Sequence, residues 1–449
     1  MLTAAPLLSP PPPPPRCHVA IPLRCHAPTQ QVAAAAADRG LLLRGAGSPV
    51  VKRAPGGWLL WYQCGARVAL AASTDGLRWG PPVEPDPLVA STDWWAFDTA
   101  AVRPSDVLLF SGPDASARSG FPSSAVYWLY YSGSTDERFG SPFPAAAAAA
   151  AEDVPALPGL AISQDGRHWA RIEGDHHTGA LLGVGEEEEG GDPRRGWEAR
   201  CVAAPKVVLH AEGDLRMYYH SFDEMSQRHA IGLARSKDGV RWRKAGKVLE
   251  GGKAGSFDEG GVRHGHVVRD RAAGRYVMVY EGVDANGRVS IGMAVSEDGL
   301  KGWRRSSELP ILRPSDDDEG WDSTVVGSPC LVQMDGAYDW RMYYTGVGRD
   351  GEAAIGMAYS EGHGLQKFEK WDAVLIVPLM ALWVTGSIPI LANLFFSRRI
   401  TTTVKCWKEE KNKQLKLRSK WQVLMIDKNR LNTPIYQDRI FVENMHACT

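Results

Sequence analysis

The sequence predicts an all-β protein, a five-bladed β-propeller, because two short phrases recur in phase between residues 40 and 372. The first phrase is a β-rich segment that ends in paired aromatic residues: WLLWYQ, VYWLYYSG, LRMYYHS, YVMVYEG and WRMYYTG. Alternation of aromatic and β-branched residues is typical of strands. Five units of roughly 60 residues, each with about four strands, fit five blades that pack face to face.

The second phrase follows each paired-aromatic segment after a polar turn. It is a small-residue strand such as GLA, IGLA or IGMA that runs into S-x-D-G-x-x-W, with a damaged fifth copy, IGMAYSEGHG. The Asp-Gly step predicts a hairpin turn between outer strands, and we expect Trp242 to pack between blades. Insertions that contain the alanine run 145–151 and Glu186–Glu189 widen the spacing between copies.

Residues 1–39 form a leader that precedes the repeats. This segment has no acidic side chain before Asp38, is rich in Ala and Pro, and contains six consecutive prolines, Pro10–Pro15. An acid-free, basic, Ala-rich leader is typical of an organelle transit peptide, so we expect a chloroplast location. The alternative is a disordered Pro-rich leader without a targeting role.

The composition changes abruptly after Trp371. Residues 373–396 are 24 residues without a charge, long enough for a transmembrane helix, and the tail 397–449 holds 12 Lys/Arg against 5 Asp/Glu. Two prolines, a glycine and an asparagine weaken this span, so a tail foreign to the mature protein is the competing interpretation. Membrane association is expected only through residues 373–396.

Several classes of function are excluded by composition and motifs. The net charge of −1 gives no reason to expect a nucleic-acid partner. The seven cysteines are scattered without a CxxC pair, so no metal site is expected. GxSxG, HExxH and Walker motifs are also absent, and no cofactor is expected.

A third repeated phrase, which we call the acid phrase, opens the later units and contains one acidic residue in each copy. It reads FDTAAVRPSDV (97–107), WEARCVAAPKV (197–207), FDEGGVRHGHV (257–267) and WDSTVVGSPCL (321–331). Because this segment precedes the aromatic strand, it is predicted to be the innermost strand of each blade. Equivalent positions in a closed ring face one axis, so the acids are predicted to converge at one channel mouth: Asp98, Glu198, Asp258 and Asp322.

Clustered carboxylates can separate an acid from a base, as cleavage of a glycosidic bond requires. The alternative is that each acid caps a turn or holds the backbone of the next blade. Polar residues near the acids or after the paired aromatics are predicted to bind substrate: Arg103, Arg200, His220, Arg263, His264, His266 and Glu281.

The combination of Y-Y-[ST]-G, I-G-[LM]-A-x-S-x-D-G-x-x-W and F/W-D resembles the arabinanase/levansucrase/invertase superfamily over about residues 40–372. These are five-bladed propeller glycosidases of families 43, 32 and 68 and related phosphorylases. The resemblance implies Glu198 as general acid, Asp98 as base or nucleophile and Asp258 as orienting acid. Asp322 could exchange roles with either Asp. The N-D-P-N-G, R-D-P and E-C-P motifs of that superfamily are missing, and the first unit has no acid.

The sequence therefore predicts a monomeric glycoside hydrolase that cleaves a carbohydrate substrate by carboxylate acid/base catalysis. One alternative is a glycoside phosphorylase, in which Arg263, His264 and His266 hold inorganic phosphate. The other is a propeller that binds carbohydrate or acts as a scaffold without catalysis.

Overall fold

A computed structural model describes residues 38–54, 56–111, 125–140, 154–185, 197–198, 200–270, 272–335, 339–361, 365 and 367–372. The chain divides into two compact units, Met1–Val374 and Leu375–Thr449. Most of the predicted leader, the apolar segment 373–396 and the basic tail lie outside the described residues. Within the described ranges, no helix has the length and apolarity needed to cross a membrane.

The described part is built almost entirely from antiparallel strands. A first strand, β1 (Leu41–Arg44), precedes group A, which contains β2 (Gly47–Ala54), β3 (Gly57–Cys64) and β4 (Arg67–Ser73). Group B contains β5 (Ala101–Ser111), β6 (Ala125–Ser134), β7 (Leu157–Ser163) and β8 (Ala170–Ile172). A short 3₁₀ helix, Glu137–Gly140, follows β6. Within each group, consecutive strands are hydrogen-bonded neighbours.

Three further groups share one sheet of thirteen strands with β1. Group C contains β9 (Ala203–Ala211), β10 (Asp214–Asp223), β11 (Arg228–Ser236) and β12 (Arg243–Leu249). Group D contains β13 (Gly261–Arg269), β14 (Tyr276–Val283), β15 (Val289–Ser296) and β16 (Arg304–Arg305). Group E contains β17 (Val325–Gln333), β18 (Trp340–Val347), β19 (Ala353–Ser360) and β20 (Glu369–Lys370). Single parallel bridges join C to D and D to E.

The groups close into a ring. The first strand of each group contacts the first strand of the next, in the order β2, β5, β9, β13 and β17, and β17 contacts β2. A buried cluster that includes Leu60, Trp58 and Tyr343 joins group E to group A. The strand β1 completes the closure by pairing with β19, with Leu43 opposite Ile355. The first strands therefore surround a common centre, which we call the central channel.

The small-residue strand is explained by aromatic packing. In group D, the Phe257 ring stacks on Tyr280 at 6.2 Å between centroids, and Gly292 lies against both rings. A Cβ at Gly292 would lie 2.5 Å from Phe257 and 2.7 Å from Tyr280, so a larger residue does not fit. The same stacking recurs in groups B, C and E as Phe97–Tyr131, Trp197–Tyr219 and Trp321–Tyr344.

The Asp-Gly phrase forms the predicted connection between the third and fourth strands. Asp238 Oδ1 accepts from the amides of Val240 and Arg241 at 2.9 and 2.8 Å, which is an Asx turn rather than a two-residue hairpin. Gly239 takes φ 78°, and its carbonyl accepts from the Tyr130 hydroxyl of group B. Trp242 packs edge-on against Tyr130, so the phrase joins neighbouring groups, as predicted for Trp242.

Candidate functional site

Every first strand carries a β-bulge at the same place, and these bulges form a ring around the channel. The register shifts lie between Gly47 and Val50, Pro104 and Asp106, Arg263 and His266, Gly327 and Cys330, and opposite Tyr218–His220 for β9. Four bulge residues adopt φ between 43° and 51°, which is rare for a residue with a side chain: Ser48, Ala204, His264 and Ser328. Strained backbone of this kind is concentrated at functional sites, so the bulge ring is a candidate functional site.

The bulge amides are bonded to the preceding group. Ser48 N donates to Thr345 Oγ1 at 2.9 Å, and Ala204 N donates to Ser132 Oγ at 2.8 Å. His264 N and Ser328 N donate to His220 Nδ1 and Glu281 Oε1, respectively. The fifth position is Pro104, which has no amide hydrogen. This ring of bonds sets the angular position of each group around the channel.

The polar centre of the bulge ring is the contact between groups C, D and E. Arg263 Nε lies 2.7 Å from Glu281 Oε2, and each side chain is 1% exposed. The other carboxylate oxygen, Oε1, accepts from the Ser328 amide. The His264 and His220 rings lie 4.7 Å apart between centroids. Two histidines, an arginine and a carboxylate from the three strands β10, β13 and β14 are thus brought together in the bulge ring.

A second layer of charged side chains lies immediately beyond the bulges. Lys52 Nζ lies 2.8 Å from Asp106 Oδ1, and Asp106 Oδ2 accepts from the Val207 amide at 3.1 Å. Burial raises the pKa of Asp106, but the charge and hydrogen bond of Lys52 together with the nearby Lys206 charge hold the pKa below its ordinary value. Burial also lowers the pKa of Lys206. We call Lys52, Asp106, Lys206, His266 and Cys330 the channel layer.

His266 is an uncharged member of the channel layer. Its Nδ1 accepts from the Leu331 amide at 3.1 Å. Burial, reinforced by the nearby Lys206 charge, lowers the pKa of His266 to about 3. A neutral imidazole at neutral pH does not supply the positive charge that the phosphate-binding alternative asks of this residue.

The lowered pKa makes folding sensitive to acid. Below about pH 6.5 the His266 imidazole is protonated in the unfolded chain but stays neutral in the folded protein. The free energy of unfolding therefore falls as pH drops from about 6.5 towards about 3. We expect this one residue to contribute about 1.4 kcal/mol per pH unit in that window. In urea unfolding at several pH values, His266→Asn should show a shallower loss than the wild type. Equal slopes in the two proteins would contradict the buried neutral state.

The four predicted catalytic acids are bonded in the same way, each within its own group. Each carboxylate accepts from the tyrosine hydroxyl of the second strand and pairs with a cation on the fourth strand of its own group. Asp258 Oδ2, for example, lies 3.0 Å from Tyr280 Oη and 2.7 Å from Arg305 Nε. The other three acid–tyrosine–cation sets are Asp98–Tyr131–Arg171, Glu198–Tyr219–Lys244 and Asp322–Tyr344–Lys370.

Each acid has its bonded partners within its own set. In the described part of the chain, no hydrogen bond or ion pair joins any two of the four acids, and their side chains are 0–1% exposed. Each acid spans its own group from the entry of the first strand to the fourth strand. We call these sets clamps, because their contacts favour the alternative interpretation in which the acids hold the blades.

The predicted substrate-binding residues divide by location. Arg263, His264, His220 and Glu281 meet in the bulge ring, and His266 lies in the channel layer. Arg103 packs over the Phe139 ring at 4.2 Å. Arg200 lies over the Phe222 ring at 4.1 Å and 3.6 Å from Glu224. Among the described residues, no group of three or more His, Cys, Asp and Glu has the geometry of a metal site.

Two sets of residues were missed by sequence reasoning, although each had a signal. The clamp cations stand two residues after the aromatic that closes the Asp-Gly phrase: Trp169–Arg171, Trp242–Lys244, Trp303–Arg305 and Phe368–Lys370. Group A has Pro81 at that position and no acid, so both partners are absent together. Aligned copies of the acid phrase share a position just before the last apolar residue. That position holds the channel-layer residues Asp106, Lys206, His266 and Cys330.

Comparisons with known proteins bear on the fold. A glycoside hydrolase of known structure superposes with a TM-score of 0.51 and 18% identity, over 73% of this chain and 92% of its own. A thermostable family-43 glycoside hydrolase gives 0.51 and 16%, over 73% and 93%. This chain has a glycosidase propeller fold. The all-β architecture and the resemblance predicted from the repeated phrases are confirmed at the level of fold.

Sequence comparison finds relatives that match only part of the chain. No family model matches the chain. An uncharacterised protein of Mycobacterium tuberculosis (strain ATCC 25618 / H37Rv) is 34% identical over 161 residues, which are 34% of this chain and 49% of the relative. A protein of the same species, strain CDC 1551 / Oshkosh, matches with the same values. The chain spans about half the length of the curated relatives that it matches.

Proposed function

We propose that this chain is a five-bladed β-propeller glycosidase whose active centre is the bulge ring of the central channel. Groups A to E correspond to the five blades predicted from the sequence, and their first strands surround that centre. The observation that carries the proposal is the meeting of Arg263, Glu281, His264 and His220 at one depth of the channel. A fold shared with glycoside hydrolases supports the same chemistry.

Glu281 supplies the reacting carboxylate in this proposal. The Arg263 guanidinium and the Ser328 amide both donate to it, and donors of this kind stabilise the ionised form of a carboxyl group. An ionised carboxylate activates water or attacks the anomeric carbon, while a separate group must protonate the leaving oxygen. His264 is assigned that second role, because its ring lies in the bulge ring beside His220 and imidazole can act as a general acid.

The clamps explain why the predicted acids are poor candidates for the same work. A clamp carboxylate is already bonded to a tyrosine hydroxyl and a cation inside the protein. All of those partners belong to its own group, whereas Glu281 also accepts from the Ser328 amide of the next group, at the ring of bulges. In this proposal Asp98, Glu198, Asp258 and Asp322 stabilise the blades and do not contact the sugar.

The test is a screen of aryl-glycosides and oligosaccharides, with and without inorganic phosphate, that compares the wild type with His264→Asn. Asparagine tolerates positive φ better than most residues, so the variant should fold at the His264 position, where φ is 49°. We expect turnover by the wild type and a loss of about 100-fold or more in kcat/KM in the variant.

The matched control is His168→Asn, which changes an exposed histidine on an Asp-Gly turn and should leave turnover unchanged. Equal turnover in His264→Asn and wild type would remove His264 from the mechanism. Turnover that requires phosphate would identify phosphorolysis. Sugar binding without turnover under any condition would identify a carbohydrate-binding propeller and overturn the enzyme proposal.

A further inference from the structure

Lys206 is a buried cation to which the proposed mechanism assigns no task. It lies on β9 in the channel layer and is 5% exposed. Its Nζ donates to the Ser105 carbonyl, and among the described residues no carboxylate lies within ion-pairing distance of it. An ammonium group has three N–H donors, so two of the three have no bonded protein acceptor in the described part of the chain.

The nearby carboxylates are already engaged by other groups. Asp106 is paired with Lys52 at 2.8 Å and accepts from the Val207 amide. Glu281 is paired with Arg263 at 2.7 Å. The two carboxylates are thus matched by two other cations, and Lys206 is left over. Burying a charge without a partner is strongly unfavourable, so an uncompensated ammonium group indicates a missing anion.

The Lys206 ammonium lies where the blades meet. Its charge interacts with Asp106 of group B, Lys52 of group A, Cys330 of group E and Glu281 of group D, while Lys206 itself belongs to group C. Because this side chain interacts electrostatically with residues of the other four groups, it lies near the channel axis. Solvent approaches this layer at Lys52, whose side chain is 31% exposed.

We propose that Lys206 binds an oxyanion of the ligand in the central channel, a carboxylate or phosphate group that fills its two free N–H positions. This inference rests on the proposed function, because it assigns to the channel a sugar ligand that carries negative charge. Hydrogen bonds from a cation to an oxyanion are short and strong, so one lysine suffices to discriminate charged from neutral sugars.

The experiment measures binding to the full chain, by thermal unfolding and calorimetry, and does not depend on turnover. The probes are galacturonate, glucose 6-phosphate and inorganic phosphate, with glucose as the neutral control. We expect at least one oxyanion to raise Tm by roughly 5 °C at saturation, and glucose to give no comparable rise. The response to each probe separates a sugar carboxylate, a sugar phosphate and free phosphate as the source of the group.

The variant Lys206→Met tests the proposal through its Tm with and without the oxyanion. Without ligand its Tm should equal or exceed that of the wild type, because methionine removes an unpaired buried charge at similar volume. With the oxyanion, the rise in Tm should disappear and Kd should weaken by about ten-fold or more. Binding without cleavage would sustain this inference and defeat only the proposed enzymatic activity.

The matched control is Lys244→Met, which removes a buried lysine that is paired with Glu198 at 2.7 Å. This variant should lower Tm and keep the oxyanion effect, and the exposed Lys301→Met replaces it if it does not fold. A lowered Tm in Lys206→Met would show that Lys206 is a paired structural residue. An unchanged oxyanion response in Lys206→Met, or no response in the wild type, would overturn the proposal.

Discussion

Replacing Asp258 with alanine is expected to lower the free energy of unfolding by about 3–5 kcal/mol. The Asp258 side chain is fully buried and accepts from Tyr280, Arg305 and Ser256 at 2.7–3.0 Å. Its removal leaves two hydroxyls and a guanidinium that is 28% exposed facing a cavity, and unsatisfied polar groups beside a buried cavity are costly. Urea unfolding at neutral pH measures the effect.

The matched control for that prediction is another acid with an arginine partner on the surface. Asp318 lies 2.7 Å from Arg349, but the two side chains are 72% and 68% exposed. A pair of this kind contributes about 0–1 kcal/mol, so Asp318→Ala should be nearly neutral. If Asp258→Ala proved equally neutral and instead abolished turnover, the acid would belong to the active site, as the sequence analysis predicted.

The fold was predictable because each repeated phrase encodes a local contact. Asp238 and Gly239 specify a turn through their own backbone preferences, and the paired aromatics specify strands. Phe257, Tyr280 and Gly292 recur in phase because ring stacking leaves room only for glycine. Contacts of this type are repeated in groups B to E, so internal comparison of the sequence reveals them.

The partners of the acids were harder to predict, because they come from distant strands. Arg305 reaches Asp258 from the far edge of group D, where the sequence shows only a basic residue after a tryptophan. The channel residues differ in type from group to group. Asp106, Lys206 and His266 align at one position of the repeated phrase, but they are an acid, a lysine and a histidine. A residue that recurs in each copy is visible by internal comparison of the sequence, whereas the residues of the proposed site are not repeated and give no such signal.

Glu281→Gln is expected to have the largest combined effect of any single substitution. The variant removes the carboxylate of a buried ion pair in which each side chain is 1% exposed, so stability should fall by about 3–5 kcal/mol. If Glu281 is the reacting carboxylate, kcat/KM per folded molecule should also fall by about 100-fold or more. Urea unfolding and steady-state kinetics on the same preparation measure the two effects.

A double variant separates these two contributions of Glu281. Adding Arg263→Met to Glu281→Gln removes the second charge of the pair, and replacing both members of a buried pair is often close to neutral. We therefore expect most of the lost stability to return while turnover stays lost, because methionine and glutamine cannot activate water. Recovery of turnover together with stability would show that Glu281 acts only by bonding Ser328 and Arg263, and the reacting carboxylate would then have to be sought at Asp106.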